Sequence, residues 1–502
     1  MLFTLIISEQ NFDERINQAF GDATSWFVDA ILAEIPITES VGIPWVLIVL
    51  FGGALYFTLY FRFVNIRSFF TAIQVVRGKY DALENGSQEK STTVKGEVSH
   101  FQALTTAVSA TVGLGNIAGV AIALSIGGAG ATFWMILIGV LGMSSKFVEC
   151  TLGVKYREVD DEGKVFGGPM YYLSKGLGEK GYTKLGKVLA ALFAVMCIGG
   201  SFGGGNMFQI NQAYKLFEHV IIPKTSVMHG QGWVFGVIIA ILVGVVIIGG
   251  IKKIASVTDK IVPVMVLMYI LAVFIILGIN ISAIPEAFGA IWDGAFDPEG
   301  VLGGFVGVLI QGFRRGAFSN EAGIGSASIA HSAVKTNFPA SEGLVALLEP
   351  FIDTVLVCTM TALALIITGQ VDTGTEIDFE QGVLLTSAAL ESGVSWFPYL
   401  LTLAVVLFAF SSMISWSYYG YQSWSYLFGK DKRSEYLYKF IFCCFTVIGA
   451  AATLDAVTDF SDAMIFAMMV PNMIGLFMLS SKVMDELRRY KKRISKITEK
   501  SN

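Results

Sequence analysis

Charged residues are scarce in this chain: Asp, Glu, Lys and Arg make up only 15% of its 502 residues. An ordinary soluble domain carries about 25% charged and about 45–50% apolar residues. Here hydrophobic residues reach 54% and the mean hydropathy is +0.64. A water-soluble domain of this length has too little interior to cover so much apolar surface. The composition therefore excludes a soluble enzyme and predicts a chain that crosses a lipid bilayer many times.

Residues that hold metals or form disulfides are also few. The five cysteines are an odd number and lie mostly within apolar runs, so they predict neither a disulfide framework nor a CxxC metal site. The four histidines show no ligand spacing, and the sequence has neither a Walker A motif nor a Ser–His–Asp constellation. These absences argue against ATP-driven transport and against an enzyme, and we expect no organic cofactor.

Long apolar runs are what the sequence has instead. A helix needs about 20 apolar residues to cross the hydrocarbon core, and the chain contains eleven such segments, numbered 1 to 11 in chain order. They lie near 42–62, 103–129, 131–154, 187–214, 233–251, 261–282, 303–331, 344–369, 396–427, 438–456 and 461–482. The pattern predicts an all-α membrane protein with eleven transmembrane helices, preceded by an extracellular and interfacial segment at 1–41.

Basic residues alternate from side to side along these segments. The connections after segments 1, 3, 5 and 9 and the tail at 483–502 carry most of the Lys and Arg, whereas those after segments 4, 6 and 8 carry few. Because basic loops stay in the cytoplasm, we expect the N-terminus outside, the C-terminus in the cytoplasm, and a multi-pass protein of the plasma (inner) membrane. The basic tail is expected to lie near anionic lipid rather than to bind nucleic acid.

Two of the segments are interrupted near their middle. Segment 2 contains three Gly and an Asn at 110–119, and segment 7 contains Gly and charged residues at 314–325. Gly weakens a helix interior, and non-helical backbone survives at membrane depth only where it is buried or lines a cavity. Close packing of helices through small residues explains either break alone. The two breaks lie five segments apart, and their segments enter the membrane from opposite sides. Together they predict an inverted-repeat secondary transporter. Its repeats would lie at 103–282 and 303–482, with an additional helix at 42–62.

An interrupted helix carries its own binding groups. The half-helix after a break presents free N–H groups and the positive end of its dipole, which suit a carboxylate. The half-helix before it leaves carbonyls free for an ammonium group or Na⁺. An α-amino acid has both charges close together, so the breaks predict a site for a zwitterion or for an ion and a solute.

Segment 4 adds amide side chains, which are costly in lipid unless they face a cavity or another helix. Asn206 and Gln209 are one helical turn apart and share a face. We expect them to line a pocket opposite the breaks, with Gln209 as the preferred contact. Hydrogen bonding between helices is the alternative.

Four charged residues lie within or near the hydrocarbon, where such residues are candidates for gating or coupling. They are Arg314, Arg315, Glu321 and Asp353. Arg314 and Arg315 precede the second break on its outward side, where an acidic partner would let them gate an outer vestibule. Glu321 lies in the break and is a candidate for pairing with an arginine, for capping the next half-helix or for cation coupling.

Three ungapped motifs carry a resemblance to a known family. They are residues 111–121, 167–173 and 318–327, which begin Thr-Val-Gly-Leu-Gly-Asn, Gly-Gly-Pro-Met-Tyr-Tyr and Phe-Ser-Asn-Glu-Ala-Gly. From about residue 40 to 485 the chain resembles the alanine/glycine:cation symporters, also called sodium:alanine symporters. The resemblance implies the leucine transporter-like fold, uptake coupled to Na⁺ or sometimes H⁺, and small amino acids such as alanine and glycine as substrates.

The resemblance also implies roles for individual residues. The substrate contacts that it implies are Thr111, Gly113, Leu114, Gly115, Phe318, Ser319 and Asn320, with amides of the first break receiving the carboxylate. The Na⁺ ligands that it implies are the hydroxyls of Ser411 and Ser412 and the carbonyls of Ser109 and Val112. Asn116 and Ser319 match a second Na⁺ site of some relatives. For Ser411 and Ser412 the alternative is that each hydroxyl bonds the backbone of its own helix.

We therefore expect a secondary active transporter that carries small neutral amino acids (alanine or glycine) into the cell with Na⁺ by alternating access. The alternative is an H⁺-coupled or broader-specificity amino-acid transporter, with Glu321 or Asp353 carrying the proton. A channel is disfavoured because no segment resembles a selectivity filter.

Overall fold

The computed structural model describes residues 24–36, 42–84, 96–296, 304–371, 377, 379–451 and 455–501. These residues are helical almost throughout, because backbone in lipid must satisfy every N–H and C=O within its own segment. Two short antiparallel hairpins are the exceptions. They pair β1 (Glu34–Pro36) with β2 (Gly42–Pro44) and β3 (Glu158–Val159) with β4 (Val165–Phe166).

The helices follow one another with few long connections. Those of the first half are α1 (24–31), α2 (Trp45–Tyr60), α3 (Val64–Arg67), α4 (Phe69–Val76), α5 (Asp81–Glu84), α6 (His100–Thr111), α7 (Leu114–Gly127), α8 (Ala131–Tyr156), α9 (Pro169–Tyr171), α10 (Leu177–Glu179), α11 (Thr183–Phe202), α12 (Phe208–Ile221), α13 (Gly232–Ile247) and α14 (Gly250–Ile279). Those of the second half are α15 (Ile284–Phe296), α16 (Gly304–Asn320), α17 (Ala327–His331), α18 (Pro339–Ala346), α19 (Leu348–Pro350), α20 (Thr359–Thr368), α21 (Phe379–Gly393), α22 (Phe397–Phe428), α23 (Lys432–Ala451) and α24 (Asp455–Ser501). Three π-helical turns interrupt them, at Tyr172–Gly176, Gly203–Met207 and Phe351–Cys358, and a 3₁₀ turn lies at Ile281–Ala283.

The all-α membrane architecture expected from the sequence is confirmed. Seven helical spans among the described residues are long and apolar enough to cross a membrane, or eight if the bent pair α6–α7 forms one span. α2 and α13 are apolar but have 16 residues each, and α16 has 17. The count of eleven transmembrane helices therefore stays a prediction.

Some connections differ from what the apolar runs suggest. The connections at 283–302 and 370–395 contain α15 and α21, and α24 continues through the expected tail to Ser501. α15 buries Ala287 and Ile291 on one face, and the tail part of α24 buries Leu487 and Tyr490. These helices are amphipathic, with apolar residues mainly on one face. They contain no apolar run long enough to count as a membrane span, so the search for apolar runs did not predict them. Of the amphipathic stretch within 1–41, residues 24–31 form α1, and residues 1–23 lie outside the described part.

Two long helices occupy the centre of the bundle. α8 packs against α2, α16, α17 and α18, and α22 packs against α6, α11, α12 and α14. α7 packs against α16, so the two interrupted segments are neighbours. The centre of the protein is therefore where both breaks meet.

A chain of buried charged groups joins several of these helices. His100, the first residue of α6, lies 2.8 Å from Glu84 of α5 through Nε2 and also contacts Glu342 of α18 through Nδ1. His331 of α17 contacts the same Glu342 at 2.5 Å. The pairs span up to 242 positions in the sequence, so no local spacing reveals them. They fix the beginning of α6 to the segments that follow the second break.

The same network continues to a lysine in the middle of α8. Lys146 Nζ lies 2.9 Å from Glu349 Oε1 and 3.8 Å from Glu149 Oε1, and all three side chains are 0% exposed. Burying a charge is tolerated only when it is paired. Lys146 therefore compensates two carboxylates that have no access to water.

We expect Lys146→Met to destabilise the protein by about 3–5 kcal/mol, because it leaves buried carboxylates without their cation. The matched control is Lys482→Met, which removes a 3.1 Å ion pair with Glu179 whose side chains are 38% and 48% exposed; exposed pairs contribute about 0–1 kcal/mol. Thermal unfolding of the purified protein in detergent measures both. Equal melting temperatures for the two variants would show that the buried network does not hold the helices together.

Candidate functional site

The first break separates α6 from α7. The two helices meet at 43°, and Val112 and Gly113 between them have extended backbones, with Gly113 at φ −171°. The second break separates α16 from α17 over six residues, of which Glu321, Gly323 and Gly325 have positive φ of 51°, 88° and 101°. A left-handed conformation costs a residue with a side chain about 1–2 kcal/mol, so contacts around Glu321 must hold it in place.

The side-chain amide of Asn116 joins the two breaks. Its Oδ1 accepts the Gly113 N–H at 2.7 Å, and its Nδ2 donates to Ser319 Oγ at 3.1 Å and to Asp353 Oδ1 at 2.8 Å. Ser319 Oγ in turn donates to Asp353 Oδ2 at 2.7 Å. All these side chains are buried. One amide thus satisfies unwound backbone in the first break and a carboxylate beside the second.

A cavity of about 30 Å³ lies between the breaks. A cavity needs roughly 10–15 Å³ to hold one water, so this one has space for only a very small solute. Seven residues expected to contact substrate line it, namely Thr111, Gly113, Leu114, Gly115, Gln209, Phe318 and Ser319. Asn320, expected beside them, does not. Its Nδ2 donates to Thr354 Oγ1 at 3.1 Å and its Oδ1 accepts the Ala322 N–H at 2.9 Å, so it stabilises the turn instead.

The beginning of α7 offers N–H groups to the cavity. Leu114 and Gly115 are its first two residues, and no carbonyl within the helix can accept from N–H groups at these positions. The Gly113 N–H was expected to join them but is not free, because Asn116 Oδ1 accepts it. Gly113 contributes space instead: a Cβ there would lie 3.5 Å from Ser412 Oγ and 3.8 Å from Gln209 Oε1.

The two amides of segment 4 have different environments. Gln209 Nε2 donates to the Gly204 carbonyl at 3.1 Å, and Gln209 Oε1 is buried beside the cavity with no hydrogen-bond partner among the described residues. Asn206 forms hydrogen bonds to another helix, which was the alternative to lining the pocket. Its Nδ2 donates to the Phe442 carbonyl at 2.7 Å, and its Oδ1 accepts from Thr446 at 2.9 Å. The π-helical turn at Gly203–Met207 alters the helical register between the two residues. Gln209 therefore keeps an acceptor available to a ligand.

Trp416 also lines the cavity and was not expected from the sequence. A Cβ at position 205 would lie 2.3 Å from Trp416 Cγ, so glycine at this position leaves room for the indole. The Gly203-Gly204-Gly205 run indicates that something bulky approaches segment 4, but it does not say which residue.

The two hydroxyls expected to bind Na⁺, those of Ser411 and Ser412, have different hydrogen-bond partners. Ser412 Oγ of α22 donates to the Ser109 carbonyl of α6 at 2.9 Å, so these two predicted ligands meet next to the first break, where Val112 is buried. Ser411 Oγ instead donates to the Phe408 carbonyl of its own helix at 3.0 Å. For Ser411 this is the alternative to Na⁺ binding that the sequence left open. Ser415, which was not expected, contacts Ser109 Oγ. The oxygen atoms around Ser109 are the hard donors that suit Na⁺.

A second group of oxygen atoms surrounds Asp353. Ser319 Oγ and Thr354 Oγ1 each donate to Asp353 Oδ2 at 2.7 Å, and Asn116 Nδ2 donates to its Oδ1 and to its carbonyl. Asn116 and Ser319, expected at a second Na⁺ site, are therefore brought together around a carboxylate. Asn116 presents nitrogen to this cluster because its oxygen faces Gly113, so it would have to rotate to act as an oxygen ligand.

The remaining intramembrane charges lie close to the cavity. Asp462, which lines it, attracts Arg315, while the neighbouring Arg314 repels Arg315. Asp462 is the acidic residue whose charge acts on Arg315, and a gating role for the two arginines stays a prediction. Glu321 lines the cavity and accepts a hydrogen bond from Ser326 Oγ at 2.6 Å across the turn before α17. This bond joins two side chains and caps no backbone N–H, so the capping role of Glu321 stays a prediction.

Comparisons with known proteins show which family the chain resembles. The sequence model of the "Sodium:alanine symporter family" matches residues 27–502. The chain is 40% identical over 448 residues to the "Sodium/alanine symporter AgcS" of Methanococcus maripaludis, which covers 89% of this chain and 94% of that protein. It is 34% identical over 447 residues to the "Probable sodium/glutamine symporter GlnT" of Bacillus subtilis, covering 88% and 87%.

The fold is also found among solved structures. A crystal structure of MhsT in complex with L-phenylalanine matches with a TM-score of 0.51 and 16% identity, covering 78% of this chain and 92% of that one. At this identity the match shows the fold alone. The protein is a multi-pass membrane transporter rather than an enzyme. By the family match over nearly its whole length, the chain belongs to the sodium:alanine symporter family.

Proposed function

We propose that the protein is a Na⁺-coupled symporter that carries alanine and glycine into the cell by alternating access. The observation that carries the proposal is the small cavity between the two breaks, with helix N–H groups on one side and an unpaired acceptor on another. The family description and the name of the AgcS relative support Na⁺-coupled transport of amino acids. We infer in addition that α6–α14 and α16–α24 form two inverted repeats, with the N-terminus outside.

The substrate binds as a zwitterion in this proposal. Its carboxylate accepts from the N–H groups of Leu114 and Gly115, where the dipole of α7 is positive. Its ammonium group donates to Gln209 Oε1, which accepts from no donor in the described part of the chain. The methyl group of alanine packs against Phe318 and Trp416. The small volume favours alanine and glycine over glutamine, the substrate in the name of the GlnT relative.

Coupling follows from the positions of the two oxygen-rich groups. Na⁺ at the Ser109 carbonyl and Ser412 would hold α6 against α22, and a cation at Asp353 and Ser319 would hold the second break. Ser109, Ser412 and Ser319 lie on helices that line the cavity, and Asp353 accepts a hydrogen bond from Ser319. Each cargo thus stabilises the arrangement that the other needs, and by linkage the two affinities change by the same factor. The H⁺-coupled alternative places the proton on Glu321 or Asp353 and needs no Na⁺.

Ser412→Ala should raise the Na⁺ concentration that half-saturates alanine uptake by about tenfold or more, because it removes an oxygen ligand to a cation. The matched control is the neighbouring Ser411→Ala, whose hydroxyl bonds its own helix and whose loss should change that concentration less than about twofold. Uptake into proteoliposomes at varied external Na⁺ measures both. A Ser412→Ala protein with wild-type Na⁺ dependence would exclude this site.

Gly115→Ala should reduce alanine uptake relative to glycine uptake, by about tenfold in kcat/KM, which is the usual effect of one methyl group in a tight pocket. The added Cβ would lie 3.6 Å from Ser319 Cα and 3.9 Å from Phe318 Cδ1, so it fits without a clash but occupies cavity space. Gly119→Ala, one turn later with nothing within 4 Å of its Cβ, is the control. An unchanged alanine-to-glycine ratio in Gly115→Ala would place the substrate elsewhere.

A further inference from the structure

A second cleft, far larger than the central cavity, opens between the end of α2 and α24. Its volume is about 400 Å³, and it lies on the side that the charge pattern predicts to be cytoplasmic. Four of its lining residues are basic, namely Arg62, Arg67, Arg488 and Lys491, and none of the others is acidic. The rest of the lining is aromatic or aliphatic.

These four cations form no ion pair with a carboxylate in the described part of the chain. Within the described part of the chain, no Asp or Glu oxygen lies within 4.0 Å of any of them. Glu486, on the same helix, is engaged elsewhere, at 2.5 Å from Lys155 and 3.5 Å from Arg489. Arg67 and Lys491 repel each other. Like charges held together without a counter-charge are unfavourable, and an anion in the cleft would relieve this repulsion.

The backbone that brings α2 to the cleft is strained. Arg62 and Phe63 follow the end of α2 with positive φ of 54° and 58°, although neither is glycine. A left-handed conformation is unfavourable for residues that carry a side chain, and strain of this kind concentrates at binding sites. The turn leaves Arg62 in the basic cleft and Phe63 on the outside, 47% exposed.

Exposed apolar side chains lie close in the sequence to the residues that line the cleft. Leu59 is 55% exposed, Phe63 47%, Ile66 63% and Phe70 75%. These side chains lie on α2, on the strained turn and on the short helices that follow it. A free phosphate ion would need only the basic groups, whereas a phospholipid uses the basic groups for its head and the apolar side chains for its acyl chains. The presence of basic groups and exposed apolar side chains along the same stretch of chain favours a phospholipid over free phosphate.

We propose that this cleft binds the phosphate group of an anionic membrane lipid. Phosphatidylglycerol is the lipid with which we would test it. Basic pockets at the cytoplasmic ends of membrane helices recognise such head groups. The bound lipid would join α2, which precedes the first interrupted segment, to α24, beyond the contact that the Phe57 and Phe477 rings make at 5.1 Å. The site is separate from the substrate cavity and does not depend on the transported solute.

Native mass spectrometry of the full-length protein in detergent, titrated with dioleoylphosphatidylglycerol, tests the site. Arg488→Gln with Lys491→Gln should weaken lipid binding by about tenfold or more, since each basic group near the head contributes to affinity. Arg62→Gln with Arg67→Gln should do the same from the α2 side. The matched control is Lys492→Gln with Arg493→Gln, which removes the same charge from exposed positions of α24 that do not line the cleft.

Each outcome decides the proposal. Weaker phosphatidylglycerol binding in both cleft variants, but not in the control, supports it, provided that dioleoylphosphatidylcholine binds all four proteins equally. Equal loss in the control and the cleft variants would show only a general effect of charge and would overturn the site. Competition by inorganic phosphate as effective as the lipid would identify free phosphate as the ligand and overturn the lipid assignment.

Discussion

The structure depends on how polar groups at the two helix breaks find hydrogen-bond partners in the middle of a membrane protein. The side chain of Asn116 supplies partners at both places, to a backbone N–H in the first break and to side chains beside the second. Unpaired polar backbone is expensive away from water. Asn116 accepts the Gly113 N–H in the first break and donates to Ser319 and Asp353 beside the second. The breaks therefore stabilise each other, and the space between them becomes a cavity rather than a packing defect.

Several properties of the site follow from this arrangement. Because Asn116 takes the Gly113 N–H, the next two N–H groups of α7 are the ones that face the cavity. Because α6 ends at Thr111, the Ser109 carbonyl has no N–H partner within its own helix and accepts from Ser412 of α22. The buried network from His100 to Lys146 then ties the beginning of α6 to the helices that follow the second break. Movement of α6 would have to break these buried contacts, so the network stabilises this conformation relative to one in which α6 has moved.

Local composition was enough to predict the breaks, and chain order was not enough to predict what surrounds them. Glycine and Asn116 within an apolar run mark the first break. The resemblance to the family then implied that Thr111, Leu114 and Gly115 contact the substrate, and all three line the cavity. Adjacent helical residues point about 100° apart, and the sequence could not tell that Ser412 rather than Ser411 reaches α6. Trp416, Asp462 and the contact of His100 with Glu342 join distant positions and leave no periodic signal.

The most direct measurement is uptake of radiolabelled alanine into proteoliposomes that contain the wild-type protein. An inward Na⁺ gradient is compared with an equal inward K⁺ gradient at fixed pH. We expect alanine to accumulate only with the Na⁺ gradient and unlabelled glycine to compete with it. Equal uptake under both gradients, or uptake that rises only when an inward proton gradient is imposed, would contradict Na⁺ coupling at the cavity between the breaks.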